Sequence, residues 1–304
     1  MKPLRLISIA GALCAASLGL SACDASPYAA TVDGHVITVN SLNHVLASWA
    51  SNRTWVQGFD AANSPSQGGN GTTVVGTGGN GTYNSKFVAL ILGTMVEVYA
   101  VRQHLAASGN LPSADEVVAS RAVNEYLRGQ YWYQFPQQVR DFFVERLADW
   151  GALTTPPLVA SSLQGPYNDI QPYLFSKVCV AEASAFSSAQ AQAIIASKTV
   201  KGTQVCFDQK QLEAQPQAFQ SAVRNLTTVG DISSAIKTSY GFQVLQLTRR
   251  DTPGFSAAVQ RVILAAETPP SSLNGILGSA HVKVNPRYGT WANGQVAPPQ
   301  QTNS

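Results

Sequence analysis

The first 22 residues constrain most strongly what the rest of the chain can become. Lys2 and Arg5 form a short basic start, and an apolar run follows from Leu6 to Leu20. That run is shorter than the roughly 20 residues that a membrane-spanning helix needs. A basic start before a short apolar run is typical of a secretory leader that is cleaved off. We therefore expect residues 1–22 to be a signal peptide and the rest of the chain to fold outside the cytoplasm.

The end of this leader carries a more specific signal. The tetrapeptide Leu20-Ser21-Ala22-Cys23 resembles the lipobox of bacterial lipoproteins. The resemblance implies that Cys23 is lipidated and anchors the protein to the cell membrane, within the cell envelope. The alternative is an ordinary signal peptide or N-terminal anchor with a chance cysteine. It fits less well, because small residues precede Cys23 and a polar chain follows it.

Charge and length exclude some classes of partner. Loss of two of the 20 basic residues with the leader leaves 18 against 17 acidic residues, so the net charge falls from +3 to +1. A nearly neutral chain gives no reason to expect a nucleic-acid partner. The remaining 282 residues suffice for two domains of about 100–200 residues each. No G-x-S-x-G or H-E-x-x-H motif is present, which argues against a hydrolase.

Residues 76–81 match the glycine spacing of the dinucleotide fingerprint. That fingerprint requires a buried strand before it and a helix directly after it. Only Val74 and Val75 precede it, within a glycine-rich tract. We therefore expect no bound nucleotide, and nothing else in the sequence indicates a cofactor.

The cysteines predict a disulfide rather than a metal site. Cys14 would leave with the leader and Cys23 would carry lipid, which leaves Cys179 and Cys206. In an oxidising compartment an isolated pair favours a disulfide, because zinc would need two further ligands nearby. We expect no metal.

The first half reads as one hairpin and four helices. Asp33-Gly34 predicts the turn of a hairpin over residues 30–38. Helices are predicted over 39–50, from Phe87 onward, from Ser113 to about Gly129, and from Pro136 to about Trp150. The apolar positions of the second helix keep a helical period, at 87, 90, 91, 95, 98, 101 and 105, and Thr94 falls in the same series. Residues 58–84 have the glycine-rich composition of a flexible loop.

Two features of this half have more than one interpretation. Glu97 could be a catalytic acid, but a single carboxylate on an apolar helix more often lies at the rim of a packed surface. Aromatic residues concentrate between and within the last two helices, and they could pack the helices together or line a groove for apolar peptides. These are Tyr131, Trp132, Tyr133, Phe135, Phe142 and Phe143.

The second half has shorter elements. Prolines in 151–170 predict a linker. Strands are then predicted around 178–180, 205 and 242–247, with helices over 187–197 and 219–226 between them, which favours a small α/β or α+β domain. A tail rich in Pro, Gln and Asn from about Asn293 is expected to be disordered.

Both halves resemble SurA-like extracytoplasmic foldases, which combine a helical chaperone module with a parvulin-type peptidyl-prolyl isomerase domain. The motifs that carry the resemblance are Ala-Thr-Val-Asp-Gly-His-Val-Ile-Thr at 30–38, Leu-Pro-Ser-Ala-Asp-Glu-Val at 111–117, Gly-Asp-Ile-Ser at 230–233, Thr-Ser-Tyr-Gly-Phe-Gln-Val at 238–244 and Val-Asn-Pro-Arg-Tyr-Gly-Thr-Trp at 284–291. The resemblance implies an α+β fold in which a mainly helical N-terminal module is closed by the C-terminal segment and carries an inserted parvulin-like β-α-β domain. The implied boundaries are 23–172 for the helical module, 173–250 for the parvulin-like domain and 251–304 for the return segment and tail.

The isomerase pocket implied by this resemblance is degenerate. Phe219 fits its apolar wall, Tyr240 and Phe242 belong to its closing strand, and Gln243 stands where that strand has a histidine. No histidine occurs between His104 and His281, and no methionine follows Met95. Isomerase catalysis depends on the shape of the pocket and on polar groups that match the changing dipole of the amide. Because the histidines and the methionine of such a pocket are missing here, we expect isomerase activity to be lost.

The sequence therefore favours a membrane-anchored envelope lipoprotein that binds unfolded or exported polypeptides as a chaperone. One alternative is an active peptidyl-prolyl cis-trans isomerase with an altered pocket. A second alternative is a lipoprotein that acts as a scaffold in an envelope complex.

Overall fold

The computed structural model describes residues 28–76, 81–155 and 160–300, so Cys23 and the predicted leader lie outside the described residues. Helices are combined with small sheets whose strands all pair antiparallel, which confirms the predicted α+β class. The strands are β1 (Tyr28–Val32), β2 (His35–Thr38), β3 (Lys177–Ala185), β4 (Thr203–Phe207), β5 (Ile236–Thr238), β6 (Gly241–Asp251), β7 (Val282–Val284), β8 (Thr290–Ala292) and β9 (Gln295–Ala297). The helices are α1 (Val39–Ala50), α2 (Arg53–Ala62), α3 (Ser85–Ser108), α4 (Ala114–Arg128), α5 (Gln137–Leu153), α6 (Gln164–Ile170), α7 (Ser188–Ala196), α8 (Gln209–Glu213), α9 (Gln217–Asn225), α10 (Ala257–Glu267) and α11 (Leu273–Ser279).

A three-stranded antiparallel sheet joins the two ends of the described chain. Its order is β2-β1-β7, with β1 in the centre. Asp33 and Gly34 both have positive φ angles, 45° and 86°, as the tight turn between β1 and β2 requires. The backbone N–H of Asn285, directly after β7, donates to the carbonyl of Ala29. The C-terminal segment therefore closes the helical module, as predicted.

Helix α3 is the core of this module. Ten of its side chains are buried, and it ends at Gly109, which has a φ of 72°. Strand β1 and helices α1, α5 and α11 pack around it. Among the described residues, none of the helices combines the length and apolar character needed to cross a membrane.

The prediction of a loop from residue 58 is wrong at its start. Helix α2 runs to Ala62 and begins after Asn52, whose side chain accepts a hydrogen bond from the Trp55 N–H. Trp55 and Phe59 stack with ring centroids 5.0 Å apart, and this aromatic packing holds the helix on the core. A 3₁₀ turn follows at Pro65–Gln67, and Val74 is fully buried. The described part of the module before residue 155 therefore has five α-helices where four were predicted.

Helices α4, α5 and α10 form a second packed layer. The predicted capping box is present at the start of α4, where the Ser113 side chain accepts from the Glu116 N–H and Glu116 accepts from Ser113. Helix α5 follows Pro136, which stands one residue before the helix.

The predicted linker over 151–170 contains helical structure. A 3₁₀ turn at Ala160–Leu163 leads into α6, and Leu163 and Ile170 are buried against α4 and α10. Pro166 is the third residue of α6, where its missing N–H costs no intrahelical hydrogen bond. The other two prolines, at 156 and 157, lie outside the described residues.

The second sheet has the order β4-β3-β6-β5 and is antiparallel throughout. Helices α8 and α9 cover one face, with Leu212, Phe219 and Val223 in contact with the strands. Helix α7 covers the other face through Ala191. Helix α8 and strand β5 were not predicted.

The prediction of a disordered tail from Asn293 is wrong up to residue 300. Strands β8 and β9 form a hairpin whose turn is Asn293-Gly294, with φ angles of 52° and 75°. Val296 is buried against α3 beside Gly93. An Asn-Gly pair is a strong hairpin signal, and the polar composition around it concealed it.

Candidate functional site

The structure does not bring the four residues of the predicted isomerase pocket together on one face of the second sheet. Phe219 on α9 is 5% exposed, and its ring packs edge-on against Phe207 at 5.5 Å. Gln243 is opposite Ile236, whose side chain belongs to the same cluster as Phe219. Cross-strand partners share a face, so Phe219 and Gln243 lie on the same side of the sheet.

Phe242 and Tyr240 lie elsewhere. Phe242 packs with the cluster beneath α7, on the opposite face. Tyr240 is 90% exposed in the turn before β6. The ring of Phe219, which would have to hold a proline, is already covered by Phe207.

Cys179 and Cys206 are directly opposite each other on β3 and β4. Their Sγ atoms are 2.08 Å apart, a bonding distance. Within the described ranges, no group of three or more His, Cys, Asp or Glu side chains could hold a metal ion.

A surface depression on the helical module has the character of a binding site. Its first part is a cavity of about 120 Å³ between the end of α4, the middle of α5 and the end of α10. The cavity is lined by Asn124, Leu127, Arg128, Phe143, Arg146, Leu147, Trp150 and Ala266. Leu127 is 60% exposed at its edge, so an apolar side chain is presented to solvent beside a cavity of mixed polar and apolar lining.

A second cavity, of about 240 Å³, shares Arg146 with the first as a lining residue. It lies between α3 and the β8-β9 hairpin and is lined by Ala89, Leu90, Gly93, Thr94, Glu97, Arg146, Gly294, Gln295 and Val296. Leu90 is 49% exposed there. We call the two cavities together the helical groove.

An ion pair shapes the middle of the helical groove. Arg146 donates from Nε and Nη2 to the two carboxylate oxygens of Glu97, at 2.8 and 3.0 Å. The indole N–H of Trp150 donates to the same carboxylate at 2.9 Å, and the Arg146 guanidinium lies over the Trp150 ring. Glu97 therefore positions Arg146 and Trp150 along the wall, and its lone pairs are engaged in this structural role.

The aromatic residues predicted to pack helices or line a groove do mainly the former. Trp132 and Phe135 are buried in the core, at 0% and 2% exposure. Phe143 does both, since it packs against Trp49 and Phe135 and also lines the helical groove.

A buried network of charges fastens the second sheet to the helical module. Glu213, at the end of α8, accepts two hydrogen bonds from Arg121 Nη1 at 3.0 Å and one from the Trp132 indole at 3.0 Å. Arg140 lies 3.2 Å from the same carboxylate. The second guanidinium nitrogen of Arg121 lies 2.6 Å from Asp141. These contacts fix α8 against α4, α5 and the segment between them.

A second pair belongs to the same interface. Arg224 of α9 pairs with Glu125 of α4, which also accepts from the Tyr133 hydroxyl. Burial raises the pKa of Glu125 to about 7, against the opposing effect of Arg224. Because this pKa is raised in the folded state, the stabilisation by protonated Glu125 is complete below about pH 4.5 and is lost as the pH rises through about 7.

Comparison with known proteins gives a likeness in structure only. No family model matches the chain, and no curated protein matches it. A peptidylprolyl isomerase, PrsA, from Bacillus cereus is 16% identical, with 66% of this chain and 86% of that chain covered and a TM-score of 0.23. A SurA-like chaperone of Campylobacter jejuni is 11% identical, with coverages of 86% and 99% and a TM-score of 0.23. The foldase protein PrsA from Lactococcus lactis is 13% identical, with coverages of 86% and 95% and a TM-score of 0.26.

The sequence reasoning missed Leu90, Leu127, Arg128 and Arg146. Each has an ordinary helical position, and only the packing of α3, α4 and α5 brings them to one surface.

Proposed function

We propose that this protein binds unfolded or exported polypeptides as a chaperone of the cell envelope, along the helical groove. The observation that supports this most directly is that two cavities share Arg146 and have exposed leucines, Leu127 and Leu90, at their edges. Unfolded chains expose apolar side chains, and burying one leucine contributes about 1.5–3 kcal/mol. A groove with two open apolar positions suits short apolar segments of many sequences.

The parvulin-like domain acts in this proposal as a structural part without turnover. The absence of a histidine between residues 105 and 280 leaves the domain without the two histidines that the family resemblance implies for the pocket, and Phe207 packs against Phe219. Its α8-α9 edge is bound to the helical module by the network around Glu213. The domain would hold α4 and α5, which form the groove wall, in place.

A matched set of variants tests the groove. In the double variant Leu90→Asn with Leu127→Asn, we expect binding of a permanently unfolded, reduced and alkylated protein to weaken at least tenfold, since two apolar contacts are lost. Leu111→Asn is the control, because Leu111 is similarly exposed at 51% and does not line the groove. Binding is measured by fluorescence anisotropy, and suppression of client aggregation is followed in parallel. Equal weakening by the control would contradict the groove.

The same samples decide between chaperone and isomerase. Isomerisation of a proline peptide is expected to stay near the uncatalysed rate, tens to hundreds of seconds at 25 °C. Robust turnover that Phe219→Ala or Gln243→Ala abolishes would establish the isomerase instead. Co-purification of one defined partner, with no affinity for unfolded protein, would favour the scaffold.

The proposed location is the outer face of a membrane, with lipid on Cys23. β1 begins at Tyr28, five residues further on, so the helical module would lie within about 18 Å of the anchor. We expect the exported wild type to fractionate with membranes and Cys23→Ser to lose that property. A Cys23→Ser protein that stays bound to the membrane would refute the lipid anchor.

Cys179 and Cys206 are expected to form a disulfide that resists alkylation until it is reduced. The bridge is expected to contribute on the order of 3 kcal/mol to stability. Two freely alkylated thiols in the native protein would refute this prediction.

A further inference from the structure

Arg128 is the charged group of the helical groove that has no carboxylate partner among the described residues. It is the last residue of α4, and its guanidinium lies 3.8 Å from the centroid of the Phe143 ring. Nη1 donates to the side-chain oxygen of Asn124. Among the described residues, no carboxylate lies within ion-pair distance of Arg128. The Asn124 oxygen, the Phe143 ring and the C-terminal end of α4 stabilise this half-buried cation, but its charge is not neutralised, so it can still pair with a carboxylate from a bound molecule.

Arg146, the other arginine of the cavity, differs from Arg128 in having a carboxylate partner. Both arginines line the 120 Å³ cavity, but Arg146 is neutralised by Glu97 and Arg128 is not. Burial, and then the neighbouring Arg146, lower the pKa of Arg128 to about 10, so the group still carries its charge at neutral pH. The cavity therefore presents one net positive charge beside Phe143, Leu147 and Trp150.

We propose that this cavity binds an acidic side chain, aspartate or glutamate, of a polypeptide segment whose apolar residues occupy the rest of the helical groove. The proposal rests on the chaperone function above and specifies its clients. The guanidinium of Arg128 would donate to the carboxylate, and Phe143 below it would hold its plane in position. A guanidinium suits this role because it offers paired donors in the geometry of a carboxylate.

An internal side chain fits the cavity better than a chain terminus. The cavity shares Arg146 with the 240 Å³ cavity, so a bound segment can continue past it toward Leu90. Its volume of about 120 Å³ suits one side chain of moderate size. The preferred segments would therefore be apolar sequences interrupted by a single acidic residue.

Two peptides that differ only by Glu or Gln at their central position, within the same apolar sequence and with blocked ends, test this. For the wild type we expect the Glu peptide to bind about tenfold more tightly, as for a charge-assisted hydrogen bond in a partly enclosed site. Arg128→Gln is expected to bind both peptides equally, with the affinity that the wild type has for the Gln peptide. Arg128→Lys keeps part of the preference, and Arg53→Gln, an exposed arginine outside the groove, keeps all of it.

The outcomes separate this proposal from the one it rests on. Equal binding of both peptides by the wild type overturns the acidic preference and leaves the chaperone groove intact. Failure to bind either peptide or the unfolded protein overturns the groove itself. If a free C-terminus on the Gln peptide reproduces the effect of Glu, the site takes a terminal carboxylate and the proposal is wrong. Circular dichroism of Arg128→Lys and Arg128→Gln is the check that both variants are folded.

Discussion

Glu213→Ala is expected to lower the free energy of unfolding by about 3–5 kcal/mol, the cost typical of removing one partner from a buried ion pair. The Glu213 side chain is 1% exposed and is the common partner of Arg121 and Arg140. Its loss leaves Arg121 with Asp141 alone, and Arg140, whose Nε already lacks a hydrogen-bond partner, without a carboxylate. Arg140 would then be a largely buried cation with no carboxylate partner among the described residues.

Urea denaturation measures this change, and two variants calibrate it. Glu213→Gln keeps an acceptor for Trp132 and is expected to lose less. Glu145→Ala removes an exposed glutamate from the same helix, α5, as Arg140, and is expected to change stability by no more than about 0.5 kcal/mol. If Glu213→Ala unfolds at the same urea concentration as Glu145→Ala, the network does not hold the two parts together.

Removal of residues 281–304 is expected to destabilise the N-terminal module by several kcal/mol, although the deleted segment is distant in sequence. The deletion takes away β7, which pairs with β1, and the β8-β9 hairpin on α3. Val284 and Val296 are buried at 9% and 8% exposure, and each contributes roughly 1.5–3 kcal/mol when fully buried. Strand β1 would also gain an open edge, which favours aggregation.

Hydrogen exchange in β1 and the midpoint of thermal unfolding report this effect. The control is removal of 301–304 alone, which deletes no described contact. Faster exchange in β1, together with a lower midpoint only in the longer deletion, is the expected result. A protein lacking 281–304 that melts like the full chain would show that the C-terminal segment does not close the module.

The local signals in the sequence predicted local structure well. The Asp33-Gly34 turn, the capping box of Ser113 and Glu116 and the helical period of α3 all depend on atoms within a few residues of each other. Composition was a poorer guide. Polar, glycine-rich or proline-containing composition led to predictions of loop, linker or disorder where the structure has α2, α6 and the β8-β9 hairpin. Asn52 is the N-cap of α2 and Asn293 lies in the hairpin turn, so polar residues there begin or connect regular elements.

Of the candidate site, too, one part could be predicted from the sequence and another could not. The absence of histidines from residues 105–280 is a property of the sequence alone. No folded arrangement of that region can therefore supply a pair of histidines. The helical groove and the Glu213 network could not be predicted. Arg128, Phe143 and Arg146 come from two helices, and Glu213 is 92 positions from Arg121. Turns and caps follow from short-range hydrogen bonding that a sequence displays, whereas a groove or a buried ion pair exists only after distant helices have packed and excluded water between them.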